Sequence, residues 1–326
     1  MKKSALYLAI MVVFLMGAVR AASVGLTYND YGISFGNSEY LTGIRINAID
    51  KYVGNVNGLN VTLWKPGENP QFKMNGVAVG LVAPVAERIN GLALGGIAAA
   101  ADRIDGLAVA GIGIGGDELN GIGIGGIGIG ADRINGIVIG GLGAGADTIH
   151  GLVIGGLGAG ADEIKGVAIG GLGAGSDIIH GLVIGGLGAG ADEIKGVAIG
   201  GLGAGAEIIH GMVIGGLGAG AYDIKGIAIG GIGVGGKEIN GLTIGGIGVG
   251  CEYIHGLQIG GVAIKGEILK GVSIAPYCHA TDDMIGISIG LLNIADYLKG
   301  IQIGLINIAK NNPAPFKVLP LFNYHK

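Results

Sequence analysis

The residues of this chain with the most chemical potential stand in rows. His150, His180, His210 and His255 alternate with Lys165, Lys195, Lys225 and Lys270 at one position of a 15-residue period, with Asn240 interrupting. Three residues earlier in the same period stand Asp132, Asp147, Asp162, Asp177, Asp192 and Glu207. Imidazoles and carboxylates are the usual metal ligands and acid–base groups, so the first question is whether these rows converge. If each repeat stacks on the next as a strand, histidines two repeats apart are separated by ~10 Å with a lysine between them. Ligands must meet on one ion at ~2 Å. The pattern therefore favours a solvated row in which lysines offset nearby carboxylates. The acidic row invites comparison with calcium-binding β-rolls, which place Asp in Gly-Gly-x-Gly-x-Asp-x-apolar-x every nine residues. Here Gly170-Gly171-Leu172-Gly173-Ala174-Gly175-Ser176-Asp177 brings Asp two residues late, on the wrong period.

Nucleophilic and nucleotide chemistry fare no better. No Ser/His/Asp or Cys/His arrangement stands out. Strings of the Gly-x-Gly-x-x-Gly type, such as Gly121, Gly123 and Gly126, bind dinucleotides only where a strand joins a helix. With 74 glycines in 326 residues they follow from composition. Cys251 and Cys278 are the only cysteines; they read either as buried thiols or, in an oxidising compartment, as a bridge. The expectation is a protein that is not an enzyme, with no catalytic residue, no cofactor and no metal.

What must position these rows is the repeat itself. From Gly76 to Ile285 the period holds for fourteen units, of which Gly166-Val167-Ala168-Ile169-Gly170-Gly171-Leu172-Gly173-Ala174-Gly175-Ser176-Asp177-Ile178-Ile179-His180 is one. Position 1 is always Gly, positions 2 and 4 are apolar, and position 14 is aliphatic or Met. Helix is excluded, because each interior Gly costs roughly 1 kcal/mol relative to Ala. Within a strand, inward residues fall two apart. Positions 2 and 4 obey this, as do 7 and 9, but the steps from 4 to 7, 9 to 14 and 14 to the next 2 require parity breaks. Three breaks imply three corners, with 2, 4, 7, 9 and 14 inward and the Asp at position 12 turned outward at a corner, since a stack of buried carboxylates would be prohibitive. The fold this predicts is all-β: a three-sided parallel β-solenoid of 15-residue coils with N- and C-terminal caps. The alternative is an antiparallel transmembrane β-barrel, whose spanning strands need ~9–11 residues. It lacks a polar lumen face and aromatic girdles.

The ends differ from the middle. Met1-Lys2-Lys3, the apolar stretch Leu6–Val19 and Val19-Arg20-Ala21 form a secretory signal-peptide pattern over residues 1–21, with an uncleaved anchor as the other reading. Removing Lys2, Lys3 and Arg20 takes the formal charge from −4 to −7, which disfavours nucleic acid as partner. Mean hydropathy is +0.63, but charges recur too often for a spanning helix in the repeats. Residues 22–75 hold Tyr28, Tyr31, Phe35, Tyr40, Tyr52, Trp64 and Phe72 and read as an N-terminal β cap with diverged repeats. Residues 286–326 continue with 14-residue spacing from Gly286 to Gly300 and close in a Pro-rich cap.

The segments Gly286-Ile287-Ser288-Ile289-Gly290-Leu291-Leu292-Asn293-Ile294-Ala295 and Gly300-Ile301-Gln302-Ile303-Gly304-Leu305-Ile306-Asn307-Ile308-Ala309 form a recognisable pattern. So does the ending Pro315-Phe316-Lys317-Val318-Leu319-Pro320-Leu321-Phe322-Asn323. Over residues 286–326 and 43–65 the chain resembles exported bacterial surface-repeat proteins of the Leptospira type. The Gly-rich middle departs from that pattern, lacking the Asn after the strand. The resemblance implies a Gram-negative cell envelope, surface or outer membrane, and carries no catalytic residue across.

One pattern is left over. Positions 6, 8 and 10 are Gly in every unit from 106 to 255, as in Gly156, Gly158, Gly160, Gly171, Gly173, Gly175, Gly186, Gly188, Gly190, Gly201, Gly203 and Gly205. Gly costs conformational entropy on ordering and weakens strands. These residues are the candidate interface: a bare outward strip open to close approach by another flat surface, or else a relic of repeat expansion. The function expected is a binding or assembly scaffold of the cell envelope. Its partner would be an unknown protein, an envelope polymer or a second copy, with membrane contact only on the barrel alternative, where the chain would act as channel or anchor.

Overall fold

The computed structural model describes residues 23–64, 67 and 69–326, so the expected leader at residues 1–21 lies outside the described residues. The described residues form strands and turns without a helix. They fall into two compact units, divided between Leu157 and Gly158. In each unit, successive strands pair in parallel and in register with the repeat. In the second, Gly173, Ala174 and Gly175 face Gly188, Ala189 and Gly190, and Leu182 faces Val197. In the first, Leu107 faces Ile122 and Ile104 faces Leu119. Parallel pairing of consecutive repeats makes each coil a full turn of a β-solenoid and rules out the antiparallel barrel.

A central coil consists of one 13-residue strand, such as Gly173–Gly185, and a two-residue turn, here Gly186-Leu187. Ala174, Ile179, Val183 and Gly185 are its buried residues. The inward positions are therefore 3, 5, 9 and 14, three of them bearing side chains. The ladders at 3, 9 and 14 converge: a Cβ placed on Gly123 would lie 3.1–3.2 Å from the side chains of Leu119, Ile129 and Val138. Three inward side chains, one per side, fill the cross-section and make the solenoid three-sided.

This corrects the expected facing of the aliphatic residues. Positions 2, 4 and 7 point outward and position 3 points inward. The reason lies in how the corners are made. Around the coil, 14, 3, 5 and 9 keep even spacing; only the step from 9 to 14 is odd, at the Asp of position 12, which the strand register skips between Ser176 and Ile178. That Asp is exposed, as expected. The other two corners turn the chain without changing its parity. At position 1 the turn is a glycine of positive φ, such as Gly181 at φ 146, where a Cβ would sit 2.0 Å from the Gly166 carbonyl oxygen. At position 5 the backbone closes on itself, so that a Cβ on Gly185 would meet the Gly188 carbonyl oxygen at 1.7 Å.

The coils also extend beyond the clean repeat. Tyr40–Asn47, Asn55–Thr62 and Lys73–Gly80 pair in parallel with one another, and Tyr31–Gly36 pairs in parallel with Tyr40–Asn47. Only Ser23–Tyr28 reverses, forming an antiparallel hairpin with Tyr31–Gly36. In the second unit Val318–His325 reverses in the same way against Leu292–Ala309. Each reversed strand covers a ladder edge that would otherwise invite pairing with another chain.

Near these ends the interior becomes polar. Arg45 at position 3 is fully buried and pairs with Asp50 at 2.8 Å, while also donating to Asn60 and Asn37, each at 3.1 Å. Asp50 accepts further from Asn47, Asn60 and Thr62. Burial pulls the Arg45 guanidinium below its ordinary value against the opposing influence of Asp50. A buried charge of this kind is tolerable only because it is paired and hydrogen-bonded. In the second unit, position 3 changes to Thr243, Gln258, Ser273, Ser288 and Gln302, all buried. Ser273 donates to Gln258 at 2.6 Å, and Ser288 to Asn293 at 2.6 Å. Cys251 and Cys278 are buried, unpaired thiols. They lie two coils apart, beyond the ~7 Å Cα separation that a disulfide can span.

Candidate interaction surface

The outward turn of positions 2 and 4 gives one side of each unit an aliphatic exterior. In the first unit cross-strand partners carry it from Ile44 to Leu59, Val77, Leu92, Leu107, Ile122, Ile137 and Leu152. Paired residues share a sheet face, so these stand in one ladder, with position 4 forming a second beside it. Ile137 and Ile139 are 41% and 40% exposed. In the second unit Leu182, Val197, Met212, Ile227, Leu242, Leu257, Val272, Ile287 and Ile301 form one ladder, and position 4 is Ile from Ile169 to Ile303. No charged residue stands at positions 2 or 4 of these coils.

Each unit's aliphatic side ends in aromatic residues. The hairpin of the first unit places Val24 against Phe35, Leu26 against Ile33 and Tyr28 against Tyr31, all exposed. In the second unit Tyr324 pairs with Ile301 and Phe322 with Ile303. Along the corner beside this side runs the ladder of position 7, from Ile97 to Leu157 in the first unit and Leu172 to Val262 in the second, about half exposed throughout. Monomeric soluble proteins rarely expose a contiguous apolar patch of more than a few hundred Å².

The glycine strip divides by position. A Cβ at position 6 would collide with the preceding coil: 1.9 Å from a carbonyl oxygen at Gly156, Gly186 and Gly201. Position 10 is tight against the following coil, at 3.1 Å for Gly160, 2.9 Å for Gly175, 3.2 Å for Gly190 and 2.6 Å for Gly205. Stacking within the chain accounts for position 6 and, from Gly160 to Gly220, for position 10, whereas Gly130 and Gly250 at position 10 have open space. Position 8 is different, because a Cβ on Gly158, Gly173, Gly188 or Gly203 would find its nearest neighbour at 3.7–3.8 Å, an ordinary contact. From Gly158 to Gly218 position 8 is bare without a reason inside its own fold, while Gly113, Gly233 and Gly248 at the same position are tight at 3.2–3.3 Å.

The third side carries the charges. Lys165 pairs with Glu163 at 2.6 Å, Lys195 with Glu193 at 2.7 Å and Lys225 with Asp223 at 3.0 Å, so each lysine meets position 13 of its own coil. His180 lies 3.8 Å from Glu163. Lys195 holds the Glu193 carboxyl below its ordinary value. In the first unit the same position carries an amide row in which Asn90 donates to Asn75 at 2.6 Å and Asn135 to Asn120 at 2.7 Å. Asp105 sits between them, drawn down to about 2 chiefly by its hydrogen bond with Arg103, with help from Asn120 and Arg88. Among the described residues no three His, Cys, Asp or Glu side chains are grouped to hold a metal ion. The lysines of position 15 form lateral pairs with position 13 on a solvated side, and the acidic row of position 12 stands exposed beside them.

Compared with known proteins, the chain matches no family model, no curated protein and no solved structure.

Sequence reasoning missed this surface because it placed positions 2, 4 and 7 in the core. Position 3 gave no contrary signal. Thr243, Gln258, Ser273 and Gln302 stand where a solvated side was expected, yet they are buried, and two of them satisfy each other.

Proposed function

We propose that the chain is an exported, non-enzymatic scaffold of the bacterial cell envelope whose aliphatic side is its binding surface. The outward ladders at positions 2 and 4 carry this reading. A protein that needed only to fold could place polar residues there, as it does at positions 12 and 15. The secretory pattern at residues 1–21, and the resemblance of residues 286–326 to surface-repeat proteins, support the location. The lateral pairing of Lys165, Lys195 and Lys225 with position 13 supports a structural role for that lysine row.

The test is fractionation of a Gram-negative host producing the full chain. Wild type is expected in the envelope fraction, crosslinked there through its aliphatic side, and the Ile184→Lys/Ile214→Lys/Ile244→Lys variant is expected without that crosslink. Crosslinking of that variant at the wild-type level would overturn the aliphatic side as binding surface. Wild type found in the cytosol would overturn export.

A further inference from the structure

We infer that the occupant of the aliphatic side is a second copy of this chain, packed face to face; this rests on that side being the binding surface. Three observations on the second unit favour it. The first is area. The unit stacks ten coils, from Gly158–Gly170 to Leu292–Ala309. At ~4.8 Å per coil and ~16 Å for a five-residue side, the plane is roughly 770 Å². Two such planes bury about 1,500 Å² in total, the size of a stable specific interface.

The second is spacing. Position 4 is isoleucine in every coil from Ile169 to Ile303, in register across each parallel pair. Identical β-branched side chains at the strand spacing interdigitate best with another sheet of the same spacing, as in dry paired-sheet interfaces. A second copy supplies both the spacing and the aliphatic chemistry.

The third is charge. The facing positions hold no charge, so pairing buries no ion. A two-fold arrangement uses this side on both copies and closes at two. The reversed strand Val318–His325 covers a ladder edge, which blocks growth from that end.

The test is the mass of the full chain, without detergent, by sedimentation equilibrium. Wild type is expected at twice the 32.2 kDa chain mass, less the leader, at micromolar concentration. Ile184→Thr/Ile214→Thr/Ile244→Thr, which keeps branching at Cβ, is expected to weaken the dimer by roughly tenfold or more. Lys195→Glu, on the charged side, is expected to leave it unchanged. A monomeric wild type at ~100 µM, or a Thr variant that dimerises like wild type, overturns the inference. Flotation of monomeric wild type with phosphatidylcholine vesicles assigns the side to lipid and also overturns it. Either result leaves the binding-surface reading standing, since that reading falls only in the fractionation experiment.

Discussion

At the scale of single residues, glycine does different work at different positions of one repeat. A Cβ on Gly186 would lie 1.9 Å from the Gly171 carbonyl oxygen, while one on Gly188, two residues on, would make an ordinary contact at 3.8 Å. Gly→Ala at a site without strain stabilises by ~0.4–1 kcal/mol, through loss of unfolded-state freedom. Gly188→Ala is therefore expected to raise the urea midpoint, and Gly186→Ala to lower it. The same result from both substitutions would mean that the coils do not stack as described. The need for some glycine was legible from composition. Which rows needed it was not, because the clash is with the backbone of a neighbouring coil, 15 residues away in sequence.

At the scale of the coil, the corners decide what is inside. The Asp at position 12 could be placed from sequence, since a buried acidic stack is untenable. The other two corners could not. Parity counting assumes that every corner flips the chain, whereas the positive-φ glycine at position 1 and the tight turn after position 5 bend it without a flip. Position 3 thereby turns inward and 2 and 4 outward, although the latter are the larger hydrophobes. Between coils of the first unit, stability also has an electrostatic part. Asp105, held near 2, accepts from Arg103 and Arg88, and Arg103 reaches Glu118 at 2.6 Å. A carboxyl depressed from 3.8 to about 2 on folding contributes stability above pH ~4 and loses it as pH falls through about 2. Asp105→Asn is expected to cost about 1–2 kcal/mol at pH 7. In urea titrations from pH 7 to 2 the gap from wild type should close with acidification, and a gap that stays constant would deny the depressed carboxyl.

At the scale of the whole molecule, the parallel solenoid was legible from a 15-residue period and an excess of glycine, while the reversal of its end strands was not. Nor was the outward aliphatic side. Exposed isoleucine ladders and buried isoleucine ladders look alike in sequence, and what separates them is the space inside a coil, where three side chains meet and no more fit. The account stands on that distinction, and two identical substitutions ten residues apart address it. Ile194, at position 14, is fully buried, and Ile184, at position 4, is outward. At protein concentrations low enough to keep the chain monomeric, Ile194→Ala should cost about 2–5 kcal/mol in urea unfolding. Ile184→Ala should cost less than about 1 kcal/mol, as befits a surface position. Equal losses from the two substitutions, or the larger loss at Ile184, would contradict an outward aliphatic side.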